Sequence, residues 1–173
     1  AVVALLIALG AFNSQNNLLF WAFGFSLAIL IVSGLLSGAI LMGIDVRRDR
    51  IQDTEVGAPL VIRYRVRNRN RLVPAFALSI DELPAIPTPG DGATRTPATT
   101  SRVEQPRAFV AHLGPRESLM VAASPQAVRR GPVAFRAFVV STSFPFGLIR
   151  KSLVYAEPAS AVIRPAPIAS DTL

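Results

Sequence analysis

The sequence contains no cysteine and a single histidine, His112. Without thiols the chain can form neither a disulfide framework nor a thiolate metal site. One histidine cannot build a catalytic triad or a metal site without partners, and none is evident near it in the sequence. We therefore interpret His112 as a structural residue of a strand, and we expect no metal ion and no cofactor.

Recognisable catalytic motifs are also missing. The sequence has no Gly-rich phosphate loop, and Ser141 to Ser143 do not lie in a G-x-S-x-G elbow. Asp81 and Glu82 are adjacent, so on a strand their side chains would point to opposite faces instead of forming an acid–base pair. We predict a protein without catalytic residues and without a small-molecule substrate.

Charge is absent from the first 44 residues, whereas all 18 basic and all 11 acidic residues lie from Asp45 onward. The net charge of +7 therefore belongs to the second part of the chain. This break predicts a membrane unit over 1–44 and a soluble domain over 45–173. Because the first residue is Ala and not Met, we expect the chain to be processed or to begin within a longer product.

The uncharged part predicts a transmembrane helical hairpin. As a helix, residues 18–44 would be about 40 Å long, and the hydrocarbon core is about 30 Å thick. Residues 1–12 are too short to span alone. The polar run "NSQNN" at 13–17 is predicted as the turn. Asn and Ser side chains can hydrogen-bond the unpaired backbone groups at helix ends, for which lipid offers no partner. The alternative is a polar kink within one long helix.

Small residues recur at helical spacing in both segments, a pattern typical of helices that pack closely in lipid. Either the two helices pack on each other through these residues, or one face receives a helix of another protein. The predicted helix-packing residues are Ser33, Gly34, Ser37 and Gly38 on the second segment and Ala4 and Ala8 on the first.

From Asp45 onward the hydrophobic pattern has a period of two. In "LVIRYRVRN", apolar residues from Leu60 to Val66 alternate with arginines, as in a half-buried strand. Seven such segments, separated by Gly, Pro and Asn, predict an antiparallel immunoglobulin-like β-sandwich. They are 60–68, 76–80, 107–113, 118–123, 133–141, 148–155 and 161–165. The Pro-rich stretch 84–106 is predicted as a long loop.

Arginines form the most suggestive surface feature. Arg63, Arg65 and Arg67 share one strand face, and they could contact anionic lipid headgroups or an acidic partner, or form a solvated face. The same surface is predicted to include three arginines that follow the second helix, Arg47, Arg48 and Arg50. Since the hairpin tip has no basic residue, the positive-inside rule places the soluble domain in the cytoplasm. Nucleic acid is not expected, because aromatic residues do not interleave the basic ones.

A tight corner is predicted at "FPFG", since proline presets φ and glycine permits a positive φ. Its aromatic residues either attach the corner to the core or dock a partner. The residues of this possible docking corner are Phe144, Pro145, Phe146 and Gly147.

Three stretches resemble the domain-of-unknown-function-58 family, a group of bacterial membrane proteins. "FNSQNNLLFWAFGFSLAILIVSGLLS" is similar to its membrane hairpin, "VRNRNRLVPAFALSIDE" to its early strand pair, and "RRGPVAFRAFVVSTSFPFGLIRKSLVYAEPASAVIRP" to its "PFGL" region. The resemblance implies two helices in the bacterial cytoplasmic membrane, a β-sandwich and an association with MoxR-type AAA ATPases. Family members continue into a further domain that this sequence does not reach, and Phe144 stands where Asp is common.

These observations favour a non-enzymatic integral membrane scaffold or accessory subunit. It would stabilise a larger membrane complex, for example a bioenergetic assembly, through its helices and its basic β-domain. Its expected partners are membrane lipids and other membrane protein subunits. One alternative is an adaptor or chaperone-like protein working with a MoxR-type ATPase, the chain being a fragment. Another is an enzyme whose site is shared between subunits, with His112, Asp81 and Glu82 as candidates.

Overall fold

The computed structural model describes residues 2–14, 17–85 and 102–166. Residues 15 and 16 of the predicted turn therefore lie outside the described residues, as does most of the predicted Pro-rich loop. The described part consists of two helices followed by nine strands. They are α1 (Val2–Ser14), α2 (Asn17–Met42), β1 (Ile44–Arg48), β2 (Thr54–Glu55), β3 (Ile62–Asn68), β4 (Ala75–Pro84), β5 (Arg107–Leu113), β6 (Ser118–Ala123), β7 (Gly131–Thr142), β8 (Lys151–Tyr155) and β9 (Ala159–Arg164).

The two helices pack against each other. Beside their connection, the rings of Phe12 and Phe20 meet edge to face with centroids 5.6 Å apart. Ala4, Ala8 and Ala11 lie on the covered face of α1, and Ala11 is fully buried. This spacing of three and four residues brings small side chains onto one helix face. The opposite faces of both helices expose large apolar side chains.

Both helices extend into the predicted turn. Asn13 belongs to α1 and Asn17 begins α2, so the connection is shorter than the sequence indicated. At the other end α2 stops at Met42, and Ile44 pairs with Asn68 of β3. The boundary between the helical unit and the sandwich therefore lies at Gly43, because the backbone of Ile44 already belongs to a sheet.

The strands form an immunoglobulin-like β-sandwich of two sheets. One sheet has the order β1-β3-β6, and the other has the order β2-β9-β7-β4-β5, with β8 also pairing with β7. Strand pairs are antiparallel except for the short pair β2–β9. The sequence pattern did not indicate β1 and β2. It predicted a strand over 133–141, whereas β7 begins two residues earlier, at Gly131.

The core lies between the two sheets, and β3 shows how the sequence encodes it. Ile62, Tyr64 and Val66 are fully buried, and the residues between them are exposed arginines. Successive strand residues point to opposite faces, so the period-two pattern fixes which face is inside. Burial of such side chains contributes roughly 1.5–3 kcal/mol each.

The last turns of α2 also belong to this core. Ile40 and Leu41 are buried in the same apolar cluster as β1 and β3 residues. Ser37 of α2 lies 2.6 Å from the carbonyl oxygen of Phe144, in the segment between β7 and β8. The sandwich is therefore attached to the helix directly, and one end of the sandwich is held beside α2. We call this end the helix end.

Strand register shows which connections lie at the helix end. The start of β1 pairs with the end of β3, and the end of β3 pairs with the start of β6. The start of β4 likewise pairs with the end of β5, and the end of β7 with the start of β8. The connections 69–74, 114–117 and 143–150 are therefore grouped near the C-terminal end of α2.

Candidate membrane and partner interface

Exposed arginines of β1 and β3 form a ladder on the outer face of the three-stranded sheet. Arg47 of β1 lies directly opposite Arg65 of β3, with Arg63 and Arg67 on either side along the strand. Like charges directly opposite each other destabilise a sheet. In the described part of the chain no salt bridge joins these four arginines to an acidic side chain. The arginine ladder (Arg47, Arg63, Arg65, Arg67) thus carries positive charge that no salt bridge neutralises within the described residues, and Asp45, opposite Arg67 in the strand register, is the acidic residue beside it.

Beside the arginine ladder, β6 supplies uncharged residues. Ser118, Met120 and Ala122 lie opposite Arg67, Arg65 and Arg63, and Met120 is 48% exposed. The surface therefore combines a row of positive charges with an apolar side chain at its centre. Such a combination suits a protein partner with acidic and apolar residues, because charge sets orientation and apolar burial supplies affinity.

Arg48 does not belong to this surface, which corrects the sequence prediction. Its side chain is 3% exposed, and Nη1 lies 2.8 and 2.6 Å from the two carboxylate oxygens of Glu82. On β1, Arg48 shares the inward face with Ile44 and Val46, so the strand period turns it away from Arg47. Arg50 is exposed, but it lies beyond the end of β1 that is farthest from α2.

A buried polar network surrounds this ion pair. The hydroxyl of Tyr64 donates a hydrogen bond to Oε1 of Glu82 at 2.7 Å, and Nη2 of Arg48 donates one to the carbonyl of Glu157. The guanidinium of Arg48 also lies over the ring of Phe138, 5.5 Å from its centroid. Each charge is therefore paired and hydrogen-bonded, as a buried charge requires. One sequence signal could have indicated that Arg48 is buried: it follows Ile44 and Val46 at a spacing of two, so on a strand it shares their face.

The environment of Tyr64 shifts its ionisation. Burial raises the pKa of the phenol strongly, and the neighbouring Glu82 carboxylate raises the pKa further. An unfolded tyrosine ionises near pH 10, so above that pH the unfolded chain loses this proton before the folded chain does. Because the pKa of Tyr64 is higher in the folded chain than in the unfolded chain, its contribution to the free energy of unfolding is complete below pH 10. That contribution is lost as the pH rises above 10.

We expect Tyr64→Phe to reduce the alkaline loss of stability. Between pH 9 and pH 11, the unmodified chain should lose about 1.4 kcal/mol more of its free energy of unfolding than the variant. Denaturant titration of both proteins at the two pH values measures this difference, and each protein serves as its own reference at pH 9. The chain has a single lysine, Lys151, so few other groups titrate in this range. Equal losses in both proteins would contradict the expectation.

The small residues of α2 contact the sandwich of the same chain. Ser33 and Ser37 are fully buried. A Cβ added to Gly34 would lie 3.4 Å from Ile149, and one added to Gly38 would lie 3.5 Å from the Lys151 ammonium. For the α2 residues this corrects both interpretations made from the sequence, a pairing with the first helix or with a partner's helix, because Ile149 and Lys151 of the same chain already occupy this face. Ala4 and Ala8, in contrast, lie on the face of α1 that α2 covers.

The corner at Phe144 to Gly147 attaches the sandwich to α2. Phe144 packs against the core and stacks on Phe76 with ring centroids 4.6 Å apart. The Phe144–Pro145 peptide bond is cis, and Gly147 has a φ of +70°, a conformation that favours glycine. Phe146 is 53% exposed. One aromatic residue of the corner therefore packs against the core, and the other is exposed.

The enzymatic candidates are not brought together. His112 lies on the exposed side of β5 with its ring 5.0 Å from that of Phe76. Asp81 pairs with Arg107 at 2.5 Å on the outer face of β4, and Glu82 points inward. Within residues 2–14, 17–85 and 102–166, no group of three or more His, Cys, Asp or Glu side chains is placed to hold a metal ion.

Comparison with known proteins gives a likeness of fold. No protein-family model matches the chain, and the search of curated proteins found no match. Among solved structures, the chain is similar to the ASH / PapD-like domain of human CEP192 (PapD-like domain 7), with 14% sequence identity and a TM-score of 0.42. The similarity covers 72% of this chain and 87% of that one. In the described chain, α2 is the one helix long and apolar enough to cross a membrane.

Proposed function

We propose that the protein is a non-enzymatic integral membrane scaffold or accessory subunit. α1 and α2 would form a helical hairpin in the bacterial cytoplasmic membrane, and the sandwich would lie on the cytoplasmic side. The arginine ladder would dock another subunit of a membrane complex, for example a bioenergetic assembly. No cofactor, nucleic acid or small-molecule substrate is part of this proposal.

The observation that carries the membrane assignment is the exposed apolar surface of the two helices. Nothing in either helix is charged, and α2 is 26 residues long, so it extends about 39 Å against a hydrocarbon core of about 30 Å. Soluble monomers rarely expose contiguous apolar patches of this kind. The most exposed large side chains include Val2, Phe12, Leu18, Trp21, Phe25 and Leu35.

The two ends of the proposed hairpin support the orientation with the sandwich on the cytoplasmic side. Trp21 is 75% exposed close to the connection between the helices, where aromatic residues meet the membrane–water interface. The opposite end of α2 leads directly into the sandwich and its arginines. Basic residues next to a spanning helix favour the cytoplasmic side, so the connection would face away from the cytoplasm.

The arginine ladder supports docking of an acidic partner. Arg47 and Arg65 repel each other across the strand pair, and a carboxylate placed between them would relieve that repulsion. A partner's carboxylates could form bidentate pairs with guanidinium groups, which adds geometric specificity. The face of α2 that carries Gly34 and Gly38 is not proposed as a docking surface, because the chain itself covers it.

The first test is extraction of the protein from native membranes in mild detergent, followed by size-exclusion chromatography and mass spectrometry. We expect it to resist release by alkaline carbonate and to elute in a fixed ratio with a larger complex. Arg63→Glu, Arg65→Glu and Arg67→Glu together should abolish co-elution. The same changes at exposed Arg129, Arg130 and Arg136 add equal negative charge elsewhere and should leave it intact. Loss in both variants, or in neither, would contradict docking by the ladder.

A second candidate function follows from the resemblance to the domain-of-unknown-function-58 family. In that case the protein would be an adaptor or chaperone-like protein working with a MoxR-type AAA ATPase, the sequence being a fragment that lacks a C-terminal domain. The "PFGL" residues that carry the resemblance join the sandwich to α2 through Phe144 and Ser37. An intact mass greater than that of 173 residues, together with an ATPase in the eluted complex, would favour this candidate.

A further inference from the structure

Two connections at the helix end are joined to each other and to the end of α2. The backbone amide of Arg69 donates to the carbonyl of Gly43 at 2.7 Å, and the side chain of Asn70 reaches the carbonyl of Ala39 at 3.4 Å. The amide of Arg116, in the turn between β5 and β6, donates to the carbonyl of Asn70 at 3.0 Å. The 69–74 and 114–117 connections are thus held in a fixed position below the C-terminal end of the helix.

Buried Asn68 gives the first of these connections its shape. Its side-chain amide donates to the carbonyls of Val73 and Leu113 at 2.9 and 3.3 Å, and its carbonyl oxygen accepts from the amide of Asn70 at 3.0 Å. All hydrogen-bonding groups of this side chain are thereby used within the protein. Asn68 therefore fixes the shape of the connection that carries Arg69 and Arg71.

These contacts enclose a basic cleft of about 640 Å³. We define it by the residues that line it, which are Arg47, Arg67, Arg69, Arg71, Arg116, Asn68 and Asp45. The lining thus contains five positive side chains and one carboxylate, and all five arginines are exposed. None forms a salt bridge within the described ranges, so the basic cleft has donors and charge available to an anion. Guanidinium groups are well suited to bidentate contact with phosphate oxygens.

The position of the basic cleft identifies the source of the phosphate. A spanning α2 is about 9 Å longer than the hydrocarbon core, so its C-terminal end would reach the headgroup layer. The basic cleft lies directly beyond this end, because Gly43 and Ala39 hold its first connection. Leu72 directly follows Arg71 in the sequence and is 88% exposed. An apolar side chain beside basic residues is typical of a membrane-facing loop.

We propose that the basic cleft binds the phosphate-bearing headgroup of an anionic phospholipid, with Leu72 inserted among the adjacent acyl chains. Arg69, Arg71 and Arg116 bind the phosphate, and Arg47 and Arg67, which belong to both the basic cleft and the arginine ladder, connect the two. Headgroup binding orients the sandwich against the membrane surface, so that the ladder is presented to a neighbouring subunit. This inference rests on the proposed membrane anchorage by α1 and α2.

Titration of detergent-purified full-length protein with short-chain phospholipids tests the site. Dioctanoyl phosphatidylglycerol, dioctanoyl phosphatidylcholine and inorganic phosphate serve as probes, and isothermal calorimetry measures binding. We expect phosphatidylglycerol to bind about tenfold or more tightly than either other probe. Arg69→Gln, Arg71→Gln and Arg116→Gln together should weaken phosphatidylglycerol binding by about tenfold or more. Arg129→Gln, Arg130→Gln and Arg136→Gln remove equal charge from other exposed positions and should change it by less than about twofold.

Three results would overturn the assignment. Equal binding of phosphatidylcholine would show that charge is not recognised, and equal binding of inorganic phosphate would indicate a site for a soluble anion. Unchanged affinity in the Arg69, Arg71 and Arg116 variant would place the lipid elsewhere. Membrane anchorage is tested separately, since release of the protein by carbonate would refute it whatever the calorimetry shows. Carbonate-resistant protein without phosphatidylglycerol selectivity would refute the cleft alone.

Discussion

Replacing Arg48 by alanine is expected to lower the free energy of unfolding by about 3–5 kcal/mol, because it leaves the Glu82 carboxylate buried without its partner. Glu82 is 1% exposed, so water solvates its carboxylate poorly when Arg48 is removed. The same replacement at Arg47, the preceding residue, removes an equal charge from the exposed face and should change stability by less than about 0.5 kcal/mol. Denaturant unfolding in mild detergent compares the two variants directly.

The triple variant Arg48→Met, Glu82→Leu and Tyr64→Phe separates the contribution of charge from that of packing. Apolar replacement of a complete buried ion pair is often neutral or stabilising, so most of the loss caused by Arg48→Ala should be recovered. Equal stability of the Arg47→Ala and Arg48→Ala proteins would show that the pair between Arg48 and Glu82 does not persist in solution.

Replacing Ser37 by leucine is expected to lower the free energy of unfolding by about 2–5 kcal/mol, since overpacking and a lost hydrogen bond add together. The hydroxyl of Ser37 lies 2.6 Å from the carbonyls of both Ser33 and Phe144, at a fully buried position. A leucine there would push the β7–β8 segment away from α2. Faster proteolysis of that segment should accompany the loss.

Gly24→Leu is the matched control in the same helix, because a Cβ at Gly24 would meet nothing within 4 Å. We expect this variant to unfold like the unmodified protein. A similar loss in both variants would mean that α2 tolerates no added volume anywhere, and the contact between Ser37 and Phe144 would not be the cause. Unchanged stability of Ser37→Leu would refute the attachment of the corner to α2.

The sequence by itself determined the elements whose signal is local. An uncharged run produced α2, and the alternation of Ile62, Tyr64 and Val66 with arginines placed β3 with its apolar face inward, since side-chain direction in a strand depends only on residue parity. It likewise placed Asp81 and Glu82 on opposite faces. Two short strands, β1 and β2, were missed because few residues carry their pattern.

Tertiary structure alone decided which surfaces are covered and which charges meet. Arg47 and Arg48 are the same residue type at adjacent positions. The packing of the two sheets leaves Arg47 exposed on the outer face and buries Arg48 beside Glu82. The small residues of α2 could have received any close neighbour, and the chain's own β7–β8 segment occupies them. The basic cleft draws arginines from β1, β3 and two connections. Such groupings depend on strand order and register, which join residues far apart in sequence and leave no periodic signal within any one segment.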